Sequence, residues 1–218
     1  MNKFVWLVYL PSLFLLSCGL NEDCPQGINL LPMYGRVKKC NAQIESDSVF
    51  LKQCDRNHKS RKENARHFVG RGWEYYYKNI PDTAMMRFNQ AWLLDSLNAD
   101  IYWGFANLVG RQGKLKESLP LFNRSIEING TNAKVWVSAS NSYGQLFVQT
   151  NDINYLNITI KYLKTAIKLE ANNPKTYASL TAAYTYFVQK DSARKYLKIT
   201  DELDKNAINP TVRKLIGE

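Results

Sequence analysis

The sequence predicts an all-α solenoid, and three observations carry that prediction. Residues of matching size recur every 34 positions through the later part of the chain, the mark of stacked helical units. Eleven Gly and seven Pro in 218 residues are too few for a many-turned all-β chain. Hydrophobics at 45% and charges at 22% fit a folded chain and argue against bulk disorder. The length suits one domain or one extended array. Two His and four Cys leave little material for a catalytic or metal site. The formal charge of +10 suggests an acidic partner or an anionic surface.

The first element is an address. Lys3 precedes an apolar run, Phe4 to Leu16, of thirteen residues interrupted by Pro11. A membrane-spanning helix needs about 20 residues, whereas the core of a cleaved signal needs about 7–15. The run closes with Leu15-Leu16-Ser17-Cys18. This resembles the bacterial lipoprotein signal, with an aliphatic residue three before the Cys and a small residue just before it. The resemblance implies removal of residues 1–17, a diacylglyceryl thioether on Cys18, N-acylation of the same residue, and a lipid-anchored place in the bacterial cell envelope. Gly19, rather than Asp, follows Cys18, so the expected address is the outer membrane, on its periplasmic or surface side. The alternative is an ordinary secretory signal with an incidental Cys.

Residues 18–64 carry no repeat. Cys24-Pro25-Gln26-Gly27 and Leu31-Pro32 read as loop. Apolar Val37, Cys40, Ile44, Leu51 and Cys54 have the spacing of one amphipathic helix that caps the array. Cys40 and Cys54 on one continuous helix would be about 21 Å apart, too far to bridge. Three readings stay open: the helix breaks near Ser46-Asp47-Ser48, Cys24 pairs with one of the two, or all three cysteines are small core residues. Zinc is not expected, since no Cys-x-x-Cys occurs and His58 and His67 lie outside ligand spacing. The basic run Arg56, Lys59, Arg61, Lys62 and Arg66 reads as a solvated face, with attraction to anionic headgroups as a second reading.

The repeat follows. Gly72 and Ala106, Ala84 and Ser118, Phe88 and Phe122, Ala91 and Ser125, Asn98 and Asn132, and Tyr102 and Trp136 are each 34 apart. So are Tyr162 and Tyr196, Leu163 and Leu197, and Ala166 and Thr200. Between Trp136 and Tyr177 the spacing is 41, seven residues longer, with the excess around Gln145–Asp152. Seven residues fall about 20° short of two helical turns. Both helices of that unit are therefore expected to be about one turn longer, with Phe147 and Val148 near the projecting tip.

These positions resemble the tetratricopeptide repeat (TPR), an antiparallel helix pair with large residues at repeat positions 4, 11 and 24 and small ones at 8, 20 and 27. Residues 65–98 give Phe68, Gly72, Tyr75, Ala84, Phe88 and Ala91 in those places. Residues 99–132 give Tyr102, Ala106, Val109, Ser118, Phe122 and Ser125. Residues 133–173, with the insertion, give Trp136, Ser140, Tyr143, Thr159, Leu163 and Ala166. Residues 174–207 give Tyr177, Thr181, Tyr184, Ala193, Leu197 and Thr200. The family's Pro at position 32 is absent throughout. The resemblance implies a right-handed α-solenoid of about four TPR helix pairs, with an N-terminal capping helix and a short C-terminal cap at 208–218. Small side chains let paired helices approach, and the large ones fill the holes so made.

The resemblance also implies a concave groove lined from the first helix of each pair. Its expected partner-binding residues are Arg66, Trp73, Tyr76 and Tyr77 from the first repeat and Trp103, Asn107 and Arg111 from the second. Lys134 and Asn141 come from the third, and Lys175 and Tyr186 from the fourth. Aromatics mixed with Arg, Lys and Asn suit a polypeptide. A clamp for a C-terminal carboxylate is not expected, because only Asn107 and Lys175 match its pattern.

No nucleophile motif, phosphate loop or metal spacing is present. The expectation is a non-enzymatic protein-interaction scaffold with no cofactor, a protein or peptide partner in the envelope, a lipid anchor in the membrane, and no nucleic acid. The alternative is a glycan- or peptidoglycan-binding module, with Trp73, Tyr76 and Trp103 stacking on sugar rings. Four Asp-Ser/Thr-aliphatic triplets, at Asp47, Asp82, Asp95 and Asp191, match an O-glycosylation pattern of some Gram-negative bacteria. Asp82 and Asp191 are more simply expected as N-caps.

Overall fold

Asparagine starts four helices of this molecule. In the computed structural model, which describes residues 24–57 and 59–217, the side chains of Asn98, Asn132, Asn173 and Asn209 each accept the backbone N–H two residues on. Each satisfies a donor that the first turn of a helix leaves orphaned. The four helices they open are α4 (Ala99–Arg111), α6 (Ala133–Thr150), α8 (Pro174–Tyr186) and α10 (Pro210–Ile216). The remaining helices are α1 (Asn41–Asp55), α2 (Arg61–Tyr77), α3 (Pro81–Leu94), α5 (Leu115–Ile128), α7 (Ile153–Leu169) and α9 (Lys190–Asp204). No strand occurs among the described residues. The expected signal segment 1–17 and Cys18 lie outside them.

Four antiparallel pairs, α2 with α3, α4 with α5, α6 with α7 and α8 with α9, stack into an all-α solenoid of TPR architecture. The small positions sit where the helices meet. Ala84, Ala91, Ala106, Ser118, Ser125, Thr181, Ala193 and Thr200 are all 0% exposed, and Gly72 is buried. The large residues opposite them, Phe88, Phe122, Leu163 and Leu197, are at most 2% exposed. Buried hydroxyls at small positions do not go unpaired. Ser118 and Ser140 donate to the carbonyl three residues back, and Thr159, Thr181 and Thr200 to the one four back. Ser125 reaches instead to the carbonyl of Ala99 on α4. Position 4 repeats its polar contact as well. Tyr102 Oη donates to Ser96 O and Trp136 Nε1 to Gly130 O, each six residues upstream, at 2.9 and 2.8 Å.

The third pair carries the longer helices: α6 has 18 residues and α7 has 17, against 13 and 14 in α4 and α5. Their turn is closed by Asn151 in the left-handed region and by Asp152, which caps α7. The other tight connections differ from expectation in one detail. α3 and α9 begin behind Ile80 and Gln189, which make no side-chain cap, so Asp82 and Asp191 lie inside the first turn. There a carboxylate still favours the positive end of the helix dipole.

The N-terminal region departs most from the sequence reading. The capping helix starts at Asn41, not Val37, and Cys40 precedes it in extended conformation. That places Cys40 where it bonds Cys24, with 5.1 Å between the Cα atoms. Among the described residues Cys54 is the free thiol, buried at 7% exposure against Ala65 and Leu94, and burial pushes its pKa up. Between the bonded cysteines the chain forms a strap. Two short 3-10 turns, Ile28–Leu30 and Pro32–Arg36, cross α3 and bury Ile28, Met33 and Tyr34. Asn89 of α3, 0% exposed, fixes the strap by donating to Asn29 O and Leu31 O and accepting from Tyr34 N. At the other end α10 buries Val212 and Ile216 against α8 and α9.

Candidate partner-binding groove

The inside of the curve belongs to the first helix of each pair. α4 approaches both α2 and α6, next-but-one neighbours in the chain. Helices on the inner side of a bent stack are the ones that converge. α6 and α8 stand further apart, and the gap between them has α7 for its floor.

One end of the inner surface is aromatic. The rings of Trp73 on α2 and Trp103 on α4 lie 4.3 Å apart, centroid to centroid. Trp103 Nε1 donates to Ser138 Oγ on α6 at 3.0 Å, so one side chain ties two repeats. Tyr76 packs on its edge against Trp73 at 5.2 Å, and Tyr77 faces the same ring at 6.0 Å with 76% of its surface exposed. The Arg111 guanidinium covers Tyr76 at 4.7 Å and donates to Tyr76 O and Asn79 Oδ1. Trp73 also meets Phe88 edge-on at 5.5 Å. Trp73 and Trp103 therefore serve inter-repeat packing first, and Tyr77 offers the free ring.

Two hollows continue from there. The first, about 330 Å³, is polar, lined by Tyr76, Asn107, Arg111, Ser138, Asn141 and Gln145 over a floor of Ala106 and Gly110. Asn107 spends its amide N–H on Trp103 O. The second, also about 330 Å³, is mainly apolar. Gly144, Phe147, Val148, Ala182, Ala183 and Tyr186 form its walls, Leu156 and Leu163 its floor, and Asn141 and Gln145 its boundary with the first. Val148 and Tyr186 are 67% and 52% exposed.

Of the expected groove residues, Trp73, Tyr76, Tyr77, Trp103 and Arg111 come together as one cluster. Asn107 and Asn141 join the polar hollow, and Tyr186 the apolar one. Arg66, Lys134 and Lys175 do not converge with them. They are exposed, Arg66 in the second turn of α2 and Lys134 and Lys175 in the first turns of α6 and α8, and they line neither hollow. Asp100 shares this first-turn position on α4, where burial pushes its pKa up against a hydrogen bond with Asn132 that lowers it. Phe147 and Val148, expected at a projecting tip, face inward as walls of the hollow. Their signal was in the sequence: Ser140, Gly144, Phe147 and Val148 follow the i, i+4, i+7, i+8 rule of one helix face. The contributions of Leu156 and Leu163 had no local signal, because they belong to the second helix and reach the groove only where α6 and α8 part.

Among the described residues no group of three or more His, Cys, Asp or Glu could hold a metal ion. No helix among them is long and apolar enough to cross a membrane.

An inner face walled by one helix of each pair defines a TPR-type solenoid, and solved structures share the fold. A thermophilic TPR protein of Thermus thermophilus, TTC0263, superposes with a TM-score of 0.58 at 17% identity, over 70% of this chain and 79% of that one. YrrB, described as a TPR protein with an unusual peptide-binding site, gives 0.55 at 19% identity, over 71% and 74%. MamA gives 0.55 at 18%, over 65% and 79%. No family model matches the sequence, and no curated protein does.

Proposed function

We propose that this chain is a non-catalytic scaffold of the bacterial cell envelope that grips an extended polypeptide along its inner face and is held to the outer membrane by lipid on Cys18. The observation that carries the binding reading is the sequence of surfaces along that face. An exposed ring at Tyr77 leads to a polar hollow around Asn141 and Gln145, and then to an apolar hollow walled by Val148 and Tyr186. A peptide needs such an order: amide and hydroxyl groups for its backbone, and a dry recess for one large side chain. The peptide-binding site named for YrrB supports the same use of the fold. The anchoring reading rests on the Leu15-Leu16-Ser17-Cys18 run.

Photo-crosslinkers placed at Tyr77, Val148 and Tyr186, with a control at exposed Lys198 on α9, test the groove in cells. A discrete protein adduct from the three groove positions, absent from the control, is the expected result. Adducts from Lys198 alone would overturn it. A glycan reading has one favourable observation, the exposed Tyr77 ring facing Trp73. It predicts retention on envelope polysaccharide that Tyr77→Ala abolishes, with no protein adduct at Val148.

A further inference from the structure

Away from the groove, the corner between α1 and α2 concentrates positive charge. Residues 52–66 hold six Lys or Arg and two acids, a net +4 of the chain's +10. The two acids are already engaged. Asp55 takes a bidentate bond from Arg61, and Glu63 turns back to Ser60 in a capping box. Lys52, Arg56, Lys59 and Lys62 are exposed, and among the described residues none has a carboxylate within 4 Å. Asn64 also ties the two helices of the corner together. Asn64, 4% exposed, donates to Cys54 O at 3.1 Å and to Asn57 Oδ1 at 3.2 Å, and accepts from Asn57 Nδ2 at 2.8 Å. Holding like charges together in this way costs repulsion that an anionic surface would relieve.

The position of the corner relative to the tether points to the surface concerned. Cys24 is bonded to Cys40, the residue just before α1. Cys24 follows Cys18 by six positions, a span of at most about 20 Å. The 15 residues of α1 run about 22 Å from that fixed point to Arg56. Val49, Lys52 and Arg56 follow the i, i+3, i+7 spacing of one helix face, and all three are exposed.

We propose that this corner docks on the anionic phospholipid headgroups of the membrane, with α1 lying along the bilayer between the lipid tether and the charge cluster. The proposal rests on the anchoring reading above and adds an orientation to it. Acyl chains set how tightly the protein is held, whereas the corner sets which end of the solenoid faces the lipid. Polybasic surfaces gain about fivefold in binding per Lys or Arg near an anionic leaflet.

The test uses the full chain carrying Cys18→Ser, so that lipid attachment plays no part. Sedimentation with vesicles of phosphatidylcholine alone, and with phosphatidylglycerol added, is compared at low and high salt. Preference for the anionic vesicles, lost at high salt, is expected. Lys52→Glu, Arg56→Glu and Lys62→Glu together should weaken it by about a hundredfold or more. Their thermal melt should match the parent, since none of the three side chains bonds another described residue. A preference that is absent, or that survives the triple substitution, overturns the proposal. Tighter binding to a DNA duplex than to the vesicles, with the same dependence on the three residues, overturns it too. Failure of anchoring is read separately, as an unlipidated Cys18 in the mass of the chain from membranes, and leaves the vesicle result standing.

Discussion

The ring of Phe88 fills the space that a side chain on Gly104 would need: a Cβ there would lie 2.4 Å from two ring atoms. Gly72, on the neighbouring inner helix, is in the same position, at 2.7 Å. One aromatic side chain of α3 is thus clamped between glycines of α2 and α4. It cannot retreat, because Trp73 and Phe105 close on it at 5.5 and 6.1 Å and it is 0% exposed.

Gly104→Ala should therefore lower stability by about 1–3 kcal/mol through overpacking. The sign is diagnostic, because Gly→Ala inside a helix otherwise stabilises by about 0.5–1 kcal/mol. Gly70 supplies the control: it lies on the same helix as Gly72, and nothing lies within 4 Å of its added Cβ. Thermal melts should fall by several degrees for Gly104→Ala and rise slightly for Gly70→Ala. Equal shifts would refute the clamp.

The strap gives a second prediction. Asn89→Ala removes three hydrogen bonds from the strap and leaves the Tyr34 N–H and Leu31 O only the bond they make to each other. Loss of a buried partner costs about 1–3 kcal/mol. Hydrogen exchange should rise across residues 28–36 while α8 and α9 keep their protection. Uniform loss of protection along the chain would show instead that the strap is part of the global core.

How much of this was legible in the sequence follows from what each contact demands. Helix pairs need small side chains at fixed places, so Ala84, Ser118 and Ala193 stood out by size alone. The strap obeys no such rule. Met33, Tyr34 and Arg36 adopt positive φ although none is glycine, a conformation that tertiary contacts impose. Asn89, which holds the strap through three hydrogen bonds, reads in sequence as one polar residue on a helix. Gly104 carries no such mark, because it falls outside the repeat's small positions and its partner Phe88 belongs to the preceding pair. In the groove, Tyr77 and Asn141 were readable from repeat position. The apolar hollow was not, because it arises from the separation of α6 and α8.

The C-terminal cap should respond to acid. Arg213 of α10 makes two hydrogen bonds to the Asp201 carboxylate on α9, at 2.9 and 2.6 Å, and holds its pKa below the usual value. A depressed carboxylate contributes stability above its unfolded pKa of about 3.9, and that contribution is lost as pH falls through the lower folded value. Asp201→Asn should cost up to about 1 kcal/mol at neutral pH and almost nothing at the acid end of that window. The check is the difference in melting temperature between parent and variant, followed from pH 7 downward. A difference that does not shrink with acid would show that the pair does not hold the cap.

The apolar hollow makes the last prediction. Val148 is 67% exposed at its wall, so Val148→Asp removes little buried surface and should leave the melt nearly unchanged. A carboxylate there would lose water when an apolar side chain entered the hollow, and an unpaired buried charge is costly. Partner binding should fall by at least tenfold, equivalent to about 1.4 kcal/mol. Asn141→Ala, at the boundary of the two hollows, should weaken binding less, because water can replace a lost surface hydrogen bond. Titration of the crosslinked partner, or of a peptide derived from it, against both variants measures the order. If Val148→Asp binds as the parent does while Tyr77→Ala does not, the aromatic end alone holds the partner and the hollow between α6 and α8 is empty in the complex.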